Sequence, residues 1–186
     1  MIRSIFGKAP LLSPTLVAAV AVVSGCAMYG DSAGPRAVGV MGPTSVAAAA
    51  SMNPQGAVRF QQRADGVLVT ARITGLRPNQ EHGFHVHEGS DCSGDALGTK
   101  GHFNPDGAPH GRHGGATHHA GDLPALKADA NGVAEINVLV AKLTVAAGPA
   151  SVVGRGLIVH RDPDDYTTQP TGNAGPRPGC AVIRAE

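Results

Sequence analysis

Short bursts of alternating apolar and polar residues run through the chain from residue 57 onward. Residues 57–62 alternate, the period-two pattern of a strand with one buried face. Residues 66–73 (Gly-Val-Leu-Val-Thr-Ala-Arg-Ile) make a clearer strand, and Ala64-Asp65-Gly66 supplies a hairpin turn ahead of it. Leu76-Arg77-Pro78-Asn79 turns the chain into a strand over 83–88. Ala130-Asn131-Gly132 is a further turn, followed by alternation over 133–140, and 143–147, 156–160 and 180–184 are shorter strand candidates. Residues 44–51 form a weaker candidate, its pattern diluted by alanines. Two stretches break the rhythm. Residues 92–126 hold many glycines and almost no branched apolar side chains, and 162–179 form a second long loop. Long stretches without a core pattern are usually disordered or functional. About eight short strands without βαβ alternation fit an antiparallel sandwich or barrel.

The N-terminal segment follows a different pattern. Arg3 and Lys8 supply positive charge ahead of an apolar run over 16–23. That run is too short to span a bilayer and reads as the core of a secretory signal peptide. Val23-Ser24-Gly25-Cys26 resembles a bacterial lipobox, which implies cleavage before Cys26 and lipidation of its thiol. An ordinary signal peptide with an unrelated cysteine is the other reading. The expected organisation is a signal peptide over 1–25, a flexible Gly/Ala/Ser/Pro-rich tether over 26–43 and a folded domain over 44–186. An exported, periplasmic or cell-envelope location follows, anchored to a membrane through Cys26. Composition adds 26 glycines, 14 prolines and no tryptophan, so the core must be built from Val, Ile, Leu and Ala. A net charge of +1 offers nothing for nucleic acid. Export also permits a disulfide between the two remaining cysteines, Cys92 and Cys180. Closing so long a loop is worth about 4–5 kcal/mol in the chain-entropy picture.

All nine histidines fall between His82 and His160. His85 and His87 are two apart on a strand, so their imidazoles leave the same face. A polar stripe on a solvated sheet would look the same, but Phe84 and Val86 between them are expected to face the core. His102, His110, His119 and Asp122 lie on the glycine-rich loop. Three imidazoles and one carboxylate make a closed tetrahedral set suited to zinc. A histidine-rich solvated loop with loose zinc affinity is the competing reading. His160 ends the strand over 156–160 and, taken alone, would be structural.

Five motifs in order narrow these choices. Gly83-Phe84-His85-Val86-His87-Glu88, Gly101-His102-Phe103-Asn104-Pro105, Gly121-Asp122-Leu123, Val159-His160 and Gly172-Asn173-Ala174-Gly175 resemble copper,zinc superoxide dismutase in order and spacing. Cys92 soon after His87, and Asp164-Asp165-Tyr166 ahead of Gln169-Pro170-Thr171, point to the bacterial exported, lipoprotein-like branch. The resemblance covers residues 58–183. It implies an all-β, eight-stranded antiparallel Greek-key sandwich or barrel with two long functional loops. It implies one copper per subunit on His85, His87, His102 and His160. It also implies one zinc on His102, His110, His119 and Asp122, with His102 serving both ions. Spacing from His102 favours His110 over His113, and spacing to Asp122 favours His119 over His118. Asp164 would link His85 to His110 behind the ligands. Cys92 and Cys180 match the family disulfide, and Arg177 matches the arginine beside the copper.

The reaction implied is dismutation of superoxide to dioxygen and hydrogen peroxide. His102 would carry a proton, and Arg177 would attract and orient the anion, with Lys100 adding to a positive funnel. Superoxide is the expected partner, with no nucleic acid, and a homodimer stays open because family members differ in oligomeric state. The runner-up is an exported protein that stores or delivers copper or zinc without useful turnover. The full ligand set with Arg177 favours the enzyme, since storage needs neither. One departure from the family pattern stands out. Pro176 and Pro178 flank Arg177, and prolines restrict the backbone on both sides, which puts the direction of the guanidinium in question. His82, His113 and His118 are surplus, read as solvated or as weak outer copper collectors.

Overall fold

The computed structural model describes residues 1–2 and 34–186. The expected signal peptide, Cys26 and the start of the tether lie outside the described residues, apart from residues 1–2. Among the described residues no helix is long and apolar enough to cross a membrane.

Nine strands form among the described residues. They are β1 (Arg36–Pro43), β2 (Gln55–Arg63), β3 (Gly66–Thr74), β4 (Glu81–His82), β5 (Phe84–His87), β6 (Leu126–Lys127), β7 (Ala134–Val140), β8 (Gly156–Val159) and β9 (Gly179–Ala185). Seven of them make one sheet in the order β5-β8-β9-β1-β2-β3-β7, and β4 pairs with β6 in a separate two-stranded ladder. Strands β1, β2 and β3 follow one another as antiparallel neighbours while β9 returns beside β1. That 9-1-2-3 order is the Greek key, and the sheet curls into an all-antiparallel half-barrel. The β2–β3 hairpin turns through Ala64 and Asp65, with Arg63 opposite Gly66.

Three expectations are corrected. The domain begins earlier than residue 44, because Arg36–Pro43 is a strand between β2 and β9 and not tether. Its inward residues are Ala37, Gly39 and Met41, while the valines at 38 and 40 face outward. The strong β-formers therefore sit on the wrong face for the pattern to read as a half-buried strand. Residues 44–51 are a turn, tightened by Ala50 N–H donating to the Val46 carbonyl at 3.0 Å. Residues 143–147 form no strand either, and only Thr144 bridges to Ser151.

The core joins Phe60, Val69 and Ile73 of the long hairpin to Phe84, Val86, Leu157, Val159 and Ile183. Phe103, on the glycine-rich loop, belongs to the same core. This explains why that loop is ordered. Phe103 N–H donates to the Val86 carbonyl at 2.8 Å, and Val86 N–H to the Gly121 carbonyl at 2.9 Å. The loop is laced across β5 by backbone bonds while Phe103 fills the interior beneath it. Cys92 and Cys180, 88 positions apart in sequence, are joined by a disulfide with Cα atoms 5.7 Å apart. It fastens the first part of the loop to β9.

Candidate metal centre

Strand β5 is buried on both faces, so His85 and His87 need partners for their polar edges. Each has one. His85 Nε2 donates to Asp164 Oδ2 at 2.7 Å, and His87 Nδ1 donates to the Lys100 carbonyl at 2.8 Å. His160 follows β8, which pairs with β5. Its N–H donates to the Gly83 carbonyl and its Nδ1 to the Gly175 carbonyl at 3.0 Å. His102 reaches the same place from the loop, through a bridge to His87, and its ring stacks on His85 at 3.9 Å.

Each of these bonds uses one ring nitrogen and leaves the other. The nitrogens left are His85 Nδ1, His87 Nε2, His102 Nε2 and His160 Nε2, all buried and, among the described residues, all without a hydrogen-bond partner. A buried nitrogen without a partner is costly, and four aimed at one point fit a copper ion. The four ligand atoms lie within 4.8 Å of one another.

The second set meets at Asp122. Its Oδ1 has His102 Nδ1 at 2.8 Å, His110 Nδ1 at 3.1 Å and His119 Nδ1 at 3.4 Å. Its Oδ2 accepts the backbone N–H of His119 at 2.8 Å and of Gly111 at 3.2 Å. Backbone therefore fixes the carboxylate while three imidazole nitrogens converge on its free oxygen, the donor set of a closed zinc site. His102 belongs to both sets, Nε2 to one and Nδ1 to the other.

Asp164 spans the two. Its Oδ2 accepts from His85 and its Oδ1 accepts from His110 Nε2 at 2.9 Å. Gly172, at φ 67°, lies against it so closely that a Cβ there would overlap Asp164 Oδ1. The charges respond to this packing. Burial opposes ionisation of Asp122 and Asp164, yet their histidine partners hold both carboxyls well below the usual range. Burial, reinforced by His85, lowers His102 to about 3.

A cavity of 420 Å³ opens beside His102 and His160, with Arg177, Asp95, Val46 and Leu97 also on its wall. Pro176 and Pro178 do not take Arg177 out of it. The Arg177 guanidinium donates from Nη1 to the Ala96 carbonyl at 3.0 Å and to Thr99 Oγ1 at 2.9 Å. The backbone is held in turn by Thr44, whose Oγ1 donates to the Arg177 carbonyl at 2.7 Å. Ala96, Thr99, Val46 and Thr44 carry no motif, and none was visible in the sequence. Lys100 is exposed, and its carbonyl anchors His87.

Residues 54–183 match the family described as copper/zinc superoxide dismutase (SODC). The chain belongs to the copper/zinc superoxide dismutase family. Among relatives, it is 38% identical over 147 residues to the superoxide dismutase [Cu-Zn] of Paramecium bursaria Chlorella virus 1, covering 76% of this chain and 78% of that one. It is 40% identical over 141 residues to the superoxide dismutase [Cu-Zn] of Candida glabrata, covering 72% and 91%. Among solved structures, the clock protein EA4 superposes with a TM-score of 0.71 at 36% identity, over 84% of this chain and 98% of that one. A double mutant of a SOD-like protein from Bacillus subtilis superposes at 0.68 and 28% identity, over 79% and 96%. This copper/zinc superoxide dismutase has both metal sites intact, with His85, His87, His102 and His160 for copper and His102, His110, His119 and Asp122 for zinc.

None of the surplus histidines is freely solvated, though His113 and His118 keep some exposed surface. His82 is fully buried, its Nδ1 within bonding distance of the His160 and Arg161 carbonyls. His118 is buried and His113 is partly so.

Proposed function

We propose that this dismutase works outside the cytoplasm, held at a membrane by lipid on Cys26, with Arg177 steering its substrate. Dismutation turns superoxide anions and protons into dioxygen and hydrogen peroxide, so the site must hold a small anion and handle protons. Copper in the four-imidazole set supplies the one-electron redox chemistry when bound, which zinc has no second oxidation state to provide. The chain supplies the rest. His102 lines the cavity, and burial lowers its basicity, which suits a group that passes a proton on rather than holding it. His102 Nδ1 stays tied to the Asp122 side meanwhile. Arg177 commits one nitrogen to Ala96 and Thr99 and keeps other N–H groups for an anion in the cavity. Val46 and Leu97 add apolar wall to the cavity.

The observation that carries the enzyme reading over storage is the shared cavity, because sequestration of an ion requires neither an opening nor a cation beside it. Superoxide decay is measured with metal-loaded wild type, His160→Ala and Arg177→Ala. His160→Ala falls to the uncatalysed rate. Arg177→Ala keeps its metals, loses at least about tenfold in rate and shows a weaker fall of rate with salt. Equal rates for wild type and His160→Ala would sink the reading.

The bacterial exported branch is supported by the apolar run before Cys26, by Asp164-Asp165-Tyr166 and by the disulfide. Pairing of two copies is supported by the outer face of β1 and β9, where Val38 and Val182 flank Val40, which is 73% exposed. Sedimentation at micromolar concentration decides between monomer and dimer.

A further inference from the structure

His113 and His118 stand outside both ligand sets, and their geometry is more specific than packing requires. His113 Nδ1 donates to the Asp122 carbonyl at 3.0 Å, and His118 Nδ1 donates to the His119 carbonyl at 2.7 Å. Those two carbonyls belong to one turn, closed by Asp122 N–H donating to the His119 carbonyl at 3.2 Å. Each ring is thereby fixed as the Nδ1–H tautomer, with its Nε2 lone pair turned away from that turn. Among the described residues neither Nε2 has a hydrogen-bond partner, and neither is sealed like the partnerless nitrogens of the interior, so each keeps some contact with solvent.

The zinc set provides a ruler for the distance between these rings. His110 and His119 have centroids 5.4 Å apart and planes tilted by 53°. His113 and His118 are also 5.4 Å apart, tilted by 59°. The other zinc pairs, at 5.2 Å and 5.5 Å, bracket that value. Of the cations nearby, Lys142 donates its ammonium to the His118 carbonyl at 2.8 Å, and Arg112 lies over the Tyr166 ring.

We infer that His113 and His118 form an outer transition-metal site, binding one divalent ion through their two Nε2 atoms with water completing the shell. Imidazole ligands without carboxylate select Cu(II), Ni(II) or Zn(II) over calcium and magnesium. Two protein ligands make the site weaker than either inner one. Its anchoring carbonyls belong to the zinc ligands His119 and Asp122, so an ion bound outside stiffens the turn that presents them.

The site is independent of turnover, and its test reads binding. Protein carrying its inner copper and zinc, verified by elemental analysis, is titrated with Ni(II) by calorimetry. Wild type takes up one further ion. His113→Gln, whose amide can still donate to the Asp122 carbonyl, loses that binding while keeping both inner metals and its dismutase rate, and His118→Gln loses it too. The inference is overturned if wild type binds no further Ni(II), or if His113→Gln binds it as tightly as wild type. Low superoxide turnover in wild type would count against the dismutase reading alone.

Discussion

At Asp164 the two carboxylate oxygens serve different rings, one His85 and the other His110. Asp164→Ala frees both, and a partner of this kind is worth about 10–100-fold in metal affinity. Gly172→Ala should act alike, because its methyl would fall on the same carboxylate oxygen from a backbone at φ 67°. Chelator competition checks both variants, and unchanged affinity in either would contradict the role given to Asp164. The histidines also set a pH dependence for the metal-free protein. His102 drops to about 3 in the fold, from an ordinary 6.5, through burial and then His85. The unfolded chain binds more protons between those values, so the stability held by neutral His102 is complete above pH 6.5 and is lost as pH falls towards 3. His87 and His160, lowered by burial, act in the same sense. His110 runs the opposite way. Burial opposes its charge, but hydrogen bonds with Asp122 and Asp164 raise it to about 9. Its contribution is complete below 6.5 and is lost as pH rises through 9. Calorimetry of the metal-free protein should show Tm climbing from about pH 4 to about pH 6.5 and declining near pH 9. A Tm that stays flat across the acid range would refute this assignment. The spaced family motifs exposed the ligand set, since His160 taken alone reads as structural, whereas Ala96 and Thr99, which hold Arg177 by a carbonyl and a hydroxyl, have no distinguishing chemistry in a sequence.

The disulfide joins the loop that carries Ala96 and Thr99 to β9, and Arg177 lies just before β9. Cys92→Ser with Cys180→Ser therefore removes two things. Stability falls by about 4–5 kcal/mol on the chain-entropy estimate, read from urea unfolding. The turn that fixes the guanidinium also loosens, so the superoxide rate of the folded double variant falls while its copper and zinc content stays. A full rate in that variant would separate the disulfide from the positioning of Arg177. Strands were legible where branched residues faced inward, as in β3 with Val67, Val69 and Ile73. They were illegible where the pattern inverted. Strand β1 buries Ala37, Gly39 and Met41 and shows its valines to the outside. The 44–51 segment combined alanines and small polar residues, which a turn accommodates as well as a strand. The glycine-rich loop gave no pattern because its order comes from one aromatic, Phe103, and from backbone bonds to β5.

For the molecule as a whole, the metal centre is made from positions 85 to 164, drawn together by pairing that no local periodicity encodes. Recognition of five spaced motifs supplied what hydrophobic pattern could not. The proposed lipid on Cys26 would hold the whole molecule at a membrane. Cys26→Ser should release the protein from membranes into the soluble fraction without altering its metal content, and continued sedimentation with lipid would count against the tether. One ring shared by two pockets has a last consequence. Thermodynamic linkage makes the coupling reciprocal: whatever factor zinc adds to the grip on copper, copper returns to zinc. Stripping either ion loosens the seat of its neighbour to the same degree, and remetallation begun from either side arrives at one end state.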